Sequence, residues 1–298
     1  MKERLNSSQG VWFAGLLAIS VAAGWPALGG VFALGIKNNE YTHLLLVLPI
    51  SITFVLIEWN AVRHFAKASL PCGSVLLASA VLMGIVPLVM SAQLSSDVRL
   101  SISVLALVTW WIGSFVLCFG TRIARLLMFP LGFLFWMVPL PTVTLDRIVE
   151  VLQRGSAVAT VALFNLAGVP VMQDGLQLSI PGLTLEIAKE CSSIRSSLML
   201  LVTTMVLAQL FLRSPLRKVL IVAIALPLSV AKNGLRIFAV SMLGTRVDPT
   251  YLTGKFHHQG GIIFFVISLL VVFLLLWGLE RGESRTTTPP ALKALAIS

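Results

Sequence analysis

Gln259-Gly260-Gly261-Ile262-Ile263-Phe264-Phe265-Val266-Ile267-Ser268-Leu269-Leu270-Val271-Val272-Phe273-Leu274-Leu275-Leu276-Trp277-Gly278-Leu279 contains no charged residue. At 1.5 Å rise per residue, a helix of this length covers about 30 Å, the thickness of a bilayer's hydrocarbon core. Soluble packing does not need so long a run that is apolar on every face. The rest of the chain repeats the pattern. Of its 298 residues, 57% are hydrophobic and only 11% are charged, and the mean hydropathy is +0.95. A soluble domain uses about 25% charged residues to cover its surface. The expected fold is therefore an all-α polytopic membrane protein.

Further apolar runs place about eight transmembrane helices near 11–35, 42–58, 70–91, 98–119, 125–141, 191–212, 216–245 and 259–279. The first run is too long for a signal-peptide core and reads as a retained span. Pro130 and Pro139 interrupt the fifth. The segment 146–168 is amphipathic, with Asp146, Arg147, Glu150 and Arg154 ahead of an apolar end; it lies at the interface or dips into the bundle. Between 169 and 190 the alternation is partial and is broken by Asp174-Gly175 and Pro181-Gly182. Those turn dipeptides predict a small β-hairpin-like insert. Its backbone cannot face lipid, so it is expected in water, immediately before Cys191. Residues 1–285 are read as one integral membrane domain and 286–298 as a disordered cytoplasmic tail.

The formal charge is +10, and the cations mostly flank apolar runs, where anionic headgroups attract them. No basic stripe or nucleic-acid motif is present, so the bilayer, not nucleic acid, is the expected partner. With the N-terminus in the cytoplasm, Lys2, Arg4, Arg63, Lys67, Arg122, Arg125, Arg213, Arg217, Lys218, Arg281 and Arg285 fall inside. That is a modest positive-inside bias. Eight spans return the C-terminus to the same side. Cys191 then opens a descending span, Arg236 lies about 30 Å up the next one, and His257 and His258 open the last. Three chemically capable groups share one depth, at the outer face.

Three cysteines do not make a disulfide framework. Cys72 and Cys118 read as buried small hydrophobes. Cys191 begins Cys191-Ser192-Ser193-Ile194-Arg195-Ser196. A helix N-terminus, with Arg195 one turn on, would lower its thiol pKa and favour a thiolate nucleophile. The competing reading is a packed cysteine among capping serines. Arg236 follows Asn233 by three residues on one helix face; it would hold a substrate carbonyl or an oxyanion, or else snorkel to headgroups. A histidine beside a thiol is the usual general acid and base of a cysteine acyltransferase. His257 and His258 project in different directions, so one of them serves the site. His43 and His64 are remote in sequence, and neither a metal nor another cofactor is expected.

Cys191-Ser192-Ser193-Ile194-Arg195, Asn233-Gly234-Leu235-Arg236-Ile237 and His257-x-x-x-Gly261-x-x-x-Phe265 occur in that order. Together they resemble the exosortase and archaeosortase family of membrane transpeptidases, with the likeness strongest over residues 130 to 280. Ser193 departs from the family, which commonly has Gly two after the cysteine. The spacing to Gly261 and Phe265 favours His257, with His258 as the alternative.

The resemblance implies that Cys191 attacks a peptide bond near the outer face of a bacterial inner membrane. His257 would move protons and Arg236 would stabilise the oxyanion, with Arg195 and Asn233 in support. The substrate would be an exported protein with a C-terminal Pro-Glu-Pro type sorting signal, a transmembrane helix and a basic tail. The acyl group would pass to an unidentified acceptor or to water. Lys189, Lys232 and Arg246 form a basic surround suited to an acidic signal residue. Two other readings compete: a transporter, and a non-catalytic component of envelope or exopolysaccharide export. Transport sites sit at the midplane between repeated halves. Here the charged groups gather at one face and no repeat is visible.

Overall fold

The computed structural model describes residues 2–187, 194–250 and 255–286, with side chains described over 8–38, 40–187, 194–250 and 261–283. It is a helical membrane protein, with one small sheet among the described residues. Among the described residues, six helical segments are long and apolar enough to cross a bilayer: Leu44–Phe65, Leu70–Val89, Ser96–Phe119, Ile194–Phe211, Pro215–Arg246 and Gly261–Glu283. Two bent pairs raise the number to as many as eight. The chain divides into two compact units, Met1–Leu145 and Asp146–Ser298.

The first unit contains α1 (Lys2–Ala23), α2 (Trp25–Lys37), α3 (Leu44–Val62), α4 (Leu70–Val89), α5 (Ser96–Phe119), α6 (Thr121–Leu126) and α7 (Met128–Phe133). The apolar run at 11–35 is not straight, because α1 and α2 meet at 71°. Pro26 stands at the start of α2, where its ring excludes the carbonyl of residue 22 from a continuous helix. Pro130 acts likewise in the run 125–141. Its ring opposes the carbonyl of Leu126, and α6 ends at Leu126. The interval continues as α7 and a 3₁₀ turn, Leu134–Met137.

Helix α5 is the axis of this unit, with more than half of its length buried. Phe115 and Phe119 meet Phe13 and Trp59 in edge-to-face contacts, with ring centroids 5.0–6.4 Å apart. Three polar groups of α5 reach partners outside the helix, while Ser114 Oγ and, after α2, His43 Nδ1 are buried without a hydrogen-bond partner among the described residues. Trp111 Nε1 donates to Ser20 Oγ at 2.9 Å, Trp110 Nε1 to Leu16 O at 3.0 Å, and Ser101 Oγ to Pro139 O at 2.7 Å. Helix α4 buries only Gly73, Ala80 and Pro87, a narrow seam at heptad spacing. Cys72, one residue from that seam, is therefore exposed rather than buried as expected, whereas Cys118 on α5 is buried. The turn between α5 and α6 depends on Gly120, which has φ +92°. A Cβ there would stand 1.9 Å from Lys67 O, and Lys67 N donates to Phe119 O at 3.1 Å. Gly120→Ala combines left-handed strain with a backbone clash, for an expected cost of about 3 kcal/mol. A lowered thermal midpoint in detergent, with unchanged membrane targeting, is the expected observation.

The second unit begins in the first turn of α8 (Thr142–Leu166) and continues through β1 (Met172–Asp174), β2 (Gln177–Ile180), β3 (Leu183–Glu186), α9 (Ile194–Phe211), α10 (Pro215–Arg246) and α11 (Lys255–Thr286). The insert expected as hairpin-like is a three-stranded antiparallel meander in the order β1-β2-β3. Each turn dipeptide reverses the chain once. Gly175 (φ +58°) lies between β1 and β2, and Gly182 (φ +85°) between β2 and β3, conformations open to glycine. Met172 pairs with Ser179, and Leu178 with Leu185. The alternation of β2 turns Leu178 and Ile180 inward. Leu178 packs with Ala157 and Ile187, and Ile180 with Phe164 and Val169.

Candidate active site

The site is organised by α10, which interlocks with α8 on one side. Gly234 lets the helices touch: a Cβ there would lie 2.6 Å from Ala159 Cβ. Asn233, 1% exposed, donates from Nδ2 to Ser156 Oγ at 2.9 Å. Thr160 Oγ1 donates to Ser156 O at 2.7 Å and makes a longer contact with Gly234 O at 3.3 Å. The buried stripe Gln153, Ser156, Ala157, Thr160 and Phe164 runs at helical spacing along α8. Its charged face stays outward, with Glu150 pairing Arg147 at 3.2 Å and Arg154 at 2.6 Å. The polar start of this segment thus belongs to a continuous helix with one buried face.

The sheet covers the same part of α10. Ile237 packs against the cluster of Ala157, Leu178 and Ile187, and Phe238 meets Phe164 edge-to-face at 5.1 Å. Gln153 Nε2 donates to Ile187 O at 2.7 Å. That bond anchors the chain to α8 at the last described residue before 188–193.

Two links then join α10 to its neighbours. Toward α9, Lys232 Nζ donates to Ser196 Oγ, and Ser229 Oγ donates to Ser197 Oγ at 2.5 Å. Lys232 is 5% exposed. Toward α11, a Cβ on Gly261 would stand 4.0 Å from Arg236 Cζ. The half-buried Arg236 therefore lies against the backbone of α11 near its start. Lys232, Asn233 and Arg236 occupy one turn of one helix.

Placed on this frame, the residues singled out from the sequence divide into three groups. Asn233, Lys232 and Arg236 come together on α10. Arg195 is exposed on the first turn of α9, and Arg246 is exposed in the last turn of α10. Arg246 is fourteen residues beyond Lys232 in the sequence, or about 21 Å along the axis, so the two do not share one binding point. Cys191 and Lys189 lie outside the described residues. His257 and His258 belong to the first turn of α11, with side chains outside the described set. Ser156, Ser197 and Ser229 were not anticipated. Their signal was available, since polar residues inside apolar spans generally find partners on neighbouring helices.

A family model for transmembrane exosortases matches residues 35–274. No curated protein and no solved structure matches the chain.

Proposed function

Given that this chain belongs to the transmembrane exosortase family, we propose that it is a cysteine-dependent peptidase or transpeptidase acting on C-terminal sorting signals of exported proteins. The observation that carries this reading is the pair of contacts made by α10. Lys232 holds Ser196, five residues after Cys191, and the Arg236 guanidinium carbon stands 4.0 Å from where a Cβ on Gly261, four residues after His257, would lie. Contacts that tie all three motifs to one helix turn support a single reacting centre.

In this centre the Cys191 thiolate attacks the carbonyl carbon of the scissile peptide bond. The carbonyl oxygen takes up negative charge, and the Arg236 guanidinium, a cationic fork of N–H donors, stabilises it. Collapse of the tetrahedral intermediate breaks the C–N bond. The leaving amine takes a proton from His257, and a thioester to Cys191 remains. An acceptor amine, or water, gives a proton back to His257 and attacks the thioester, releasing the acyl product and regenerating the thiolate. Asn233 holds the Arg236 turn against α8, and Arg195 adds positive charge near the thiolate. His258 is the alternative proton carrier. The centre faces the outer side of a bacterial inner membrane, with both termini cytoplasmic, following the distribution of Lys and Arg.

The test is to trap the thioester. The full-length protein in proteoliposomes is mixed with a substrate carrying a C-terminal signal, quenched in acid and examined by mass spectrometry. An adduct on the peptide containing Cys191, released by neutral hydroxylamine, is expected. Cleavage with an adduct on a different residue overturns the nucleophile assignment.

A further inference from the structure

Lys232 is the least expected charge in the molecule. It lies within a candidate membrane span and is almost wholly buried. Its one described hydrogen bond goes to Ser196, a neutral hydroxyl. No carboxylate lies within 4 Å of it among the described residues. An ammonium has three N–H donors, and two of these have no described acceptor. Arg236, one turn on, adds a second positive charge. A buried cation without a counter-charge is costly, and such residues within spans generally meet a partner or a ligand.

Lys232 also lines a cavity. A groove of about 450 Å³ runs between α8, α10 and α11, and among the residues lining it Lys232 is the one charged group. Ala159, Ala162 and Ala231 give it small-residue walls, the surface against which a membrane helix packs closely. The other polar lining residue, Ser268, donates its hydroxyl to Phe264 O at 2.9 Å and so offers no free proton. The depth argues against a lipid headgroup. Lys232 is fourteen residues beyond Lys218 on α10, about 21 Å along the axis. With Lys218 at one interface, Lys232 lies inside the hydrocarbon layer rather than among phosphates.

We propose that the groove between α8, α10 and α11 receives side chains from one face of the membrane helix of the polypeptide substrate, and that Lys232 is a specificity-determining residue that pairs with a carboxylate side chain on it. This rests on the reading of the chain as an enzyme acting on membrane-anchored polypeptides. It adds the place of docking and the residue that selects. Bound in this way, the substrate carboxylate lies one helical turn from Arg236, which sets the register of the scissile bond against the reacting centre.

The experiment separates binding from chemistry. Full-length Cys191→Ala protein is reconstituted in phosphatidylethanolamine vesicles with a photo-reactive residue in place of Ala162. The probes are single-span peptides with one Glu, or one Gln, at each position of the first two turns of the apolar segment. At one or two adjacent positions the Glu peptide is expected to crosslink at about tenfold lower concentration than its Gln twin. Lys232→Met should abolish that preference and Lys232→Arg should retain it, with matched thermal midpoints showing that all variants are folded. Equal crosslinking of Glu and Gln peptides by the native Lys232 form overturns the proposal. So does a preference that survives Lys232→Met, or displacement of the Glu peptide by phosphatidylglycerol. The cysteine reading is tested apart from this. If Cys191→Ala still cleaved substrate the nucleophile would be lost but the carboxylate preference would stand, and loss of the preference would leave the thioester untouched.

Discussion

Cys191→Ala protein, expressed and inserted at native levels, is expected to leave a C-terminally signalled substrate at full length. Removing the nucleophile of a covalent mechanism lowers turnover by about 10⁴-fold or more, because the groups left behind only bind and polarise the substrate. On a gel that is complete loss. Cys191→Ser is the sharper variant. It changes one atom and keeps a nucleophile in place, but a serine hydroxyl gains little from a helix end and a nearby arginine, which act on a thiol by favouring the thiolate. Processing by Cys191→Ser should therefore also fall to near background. A transporter or an assembly component with no use for a thiolate would tolerate the serine, since its size differs little from that of cysteine. Native-rate processing by the serine form would return the argument to those readings.

The sequence carried the membrane class directly. A run such as Ile262 to Leu276 has one stable solution in lipid, and that solution requires no knowledge of neighbouring segments. The order of the Cys191, Arg236 and His257 motifs was legible for the same reason, because each is a local pattern. The meander needed a little more: Asp174-Gly175 and Pro181-Gly182 announced the reversals, but the third strand is defined by the pairing of Leu178 with Leu185. What was not legible depends on partners distant in the chain. The exposure of Cys72 follows from the narrow seam of α4. The burial of one face of α8 depends on Ser156 and Thr160 meeting Asn233 and Gly234. The hold of Lys232 on Ser196 spans thirty-six residues. Hydropathy assigns each of these residues to a span but does not say which neighbour its polar atom will find.

Arg236→Ala is the second large effect expected, a fall in kcat of about 10²- to 10³-fold, the usual consequence of removing one oxyanion donor. KM should change little, because the interaction strengthens only as charge develops on the carbonyl oxygen. The competing account of Arg236 is that it snorkels from its span to the headgroups. On that account Arg236→Lys should be silent, since lysine snorkels as readily. The oxyanion account predicts otherwise. Lysine keeps the charge but loses the planar fork, and its ammonium is more strongly hydrated, so much of the kcat loss should persist in Arg236→Lys. The contact with α11 sharpens the comparison. The guanidinium carbon lies 4.0 Å from the place a Gly261 Cβ would occupy, beside a neighbouring helix. A lysine, with one terminal nitrogen and a flexible stem, cannot both fill that contact and aim two donors at one oxygen. Initial rates for the arginine, lysine and alanine forms over a range of substrate concentrations decide the matter. A loss confined to kcat and shared by both variants assigns Arg236 to the transition state, and an active lysine form assigns it to the membrane interface.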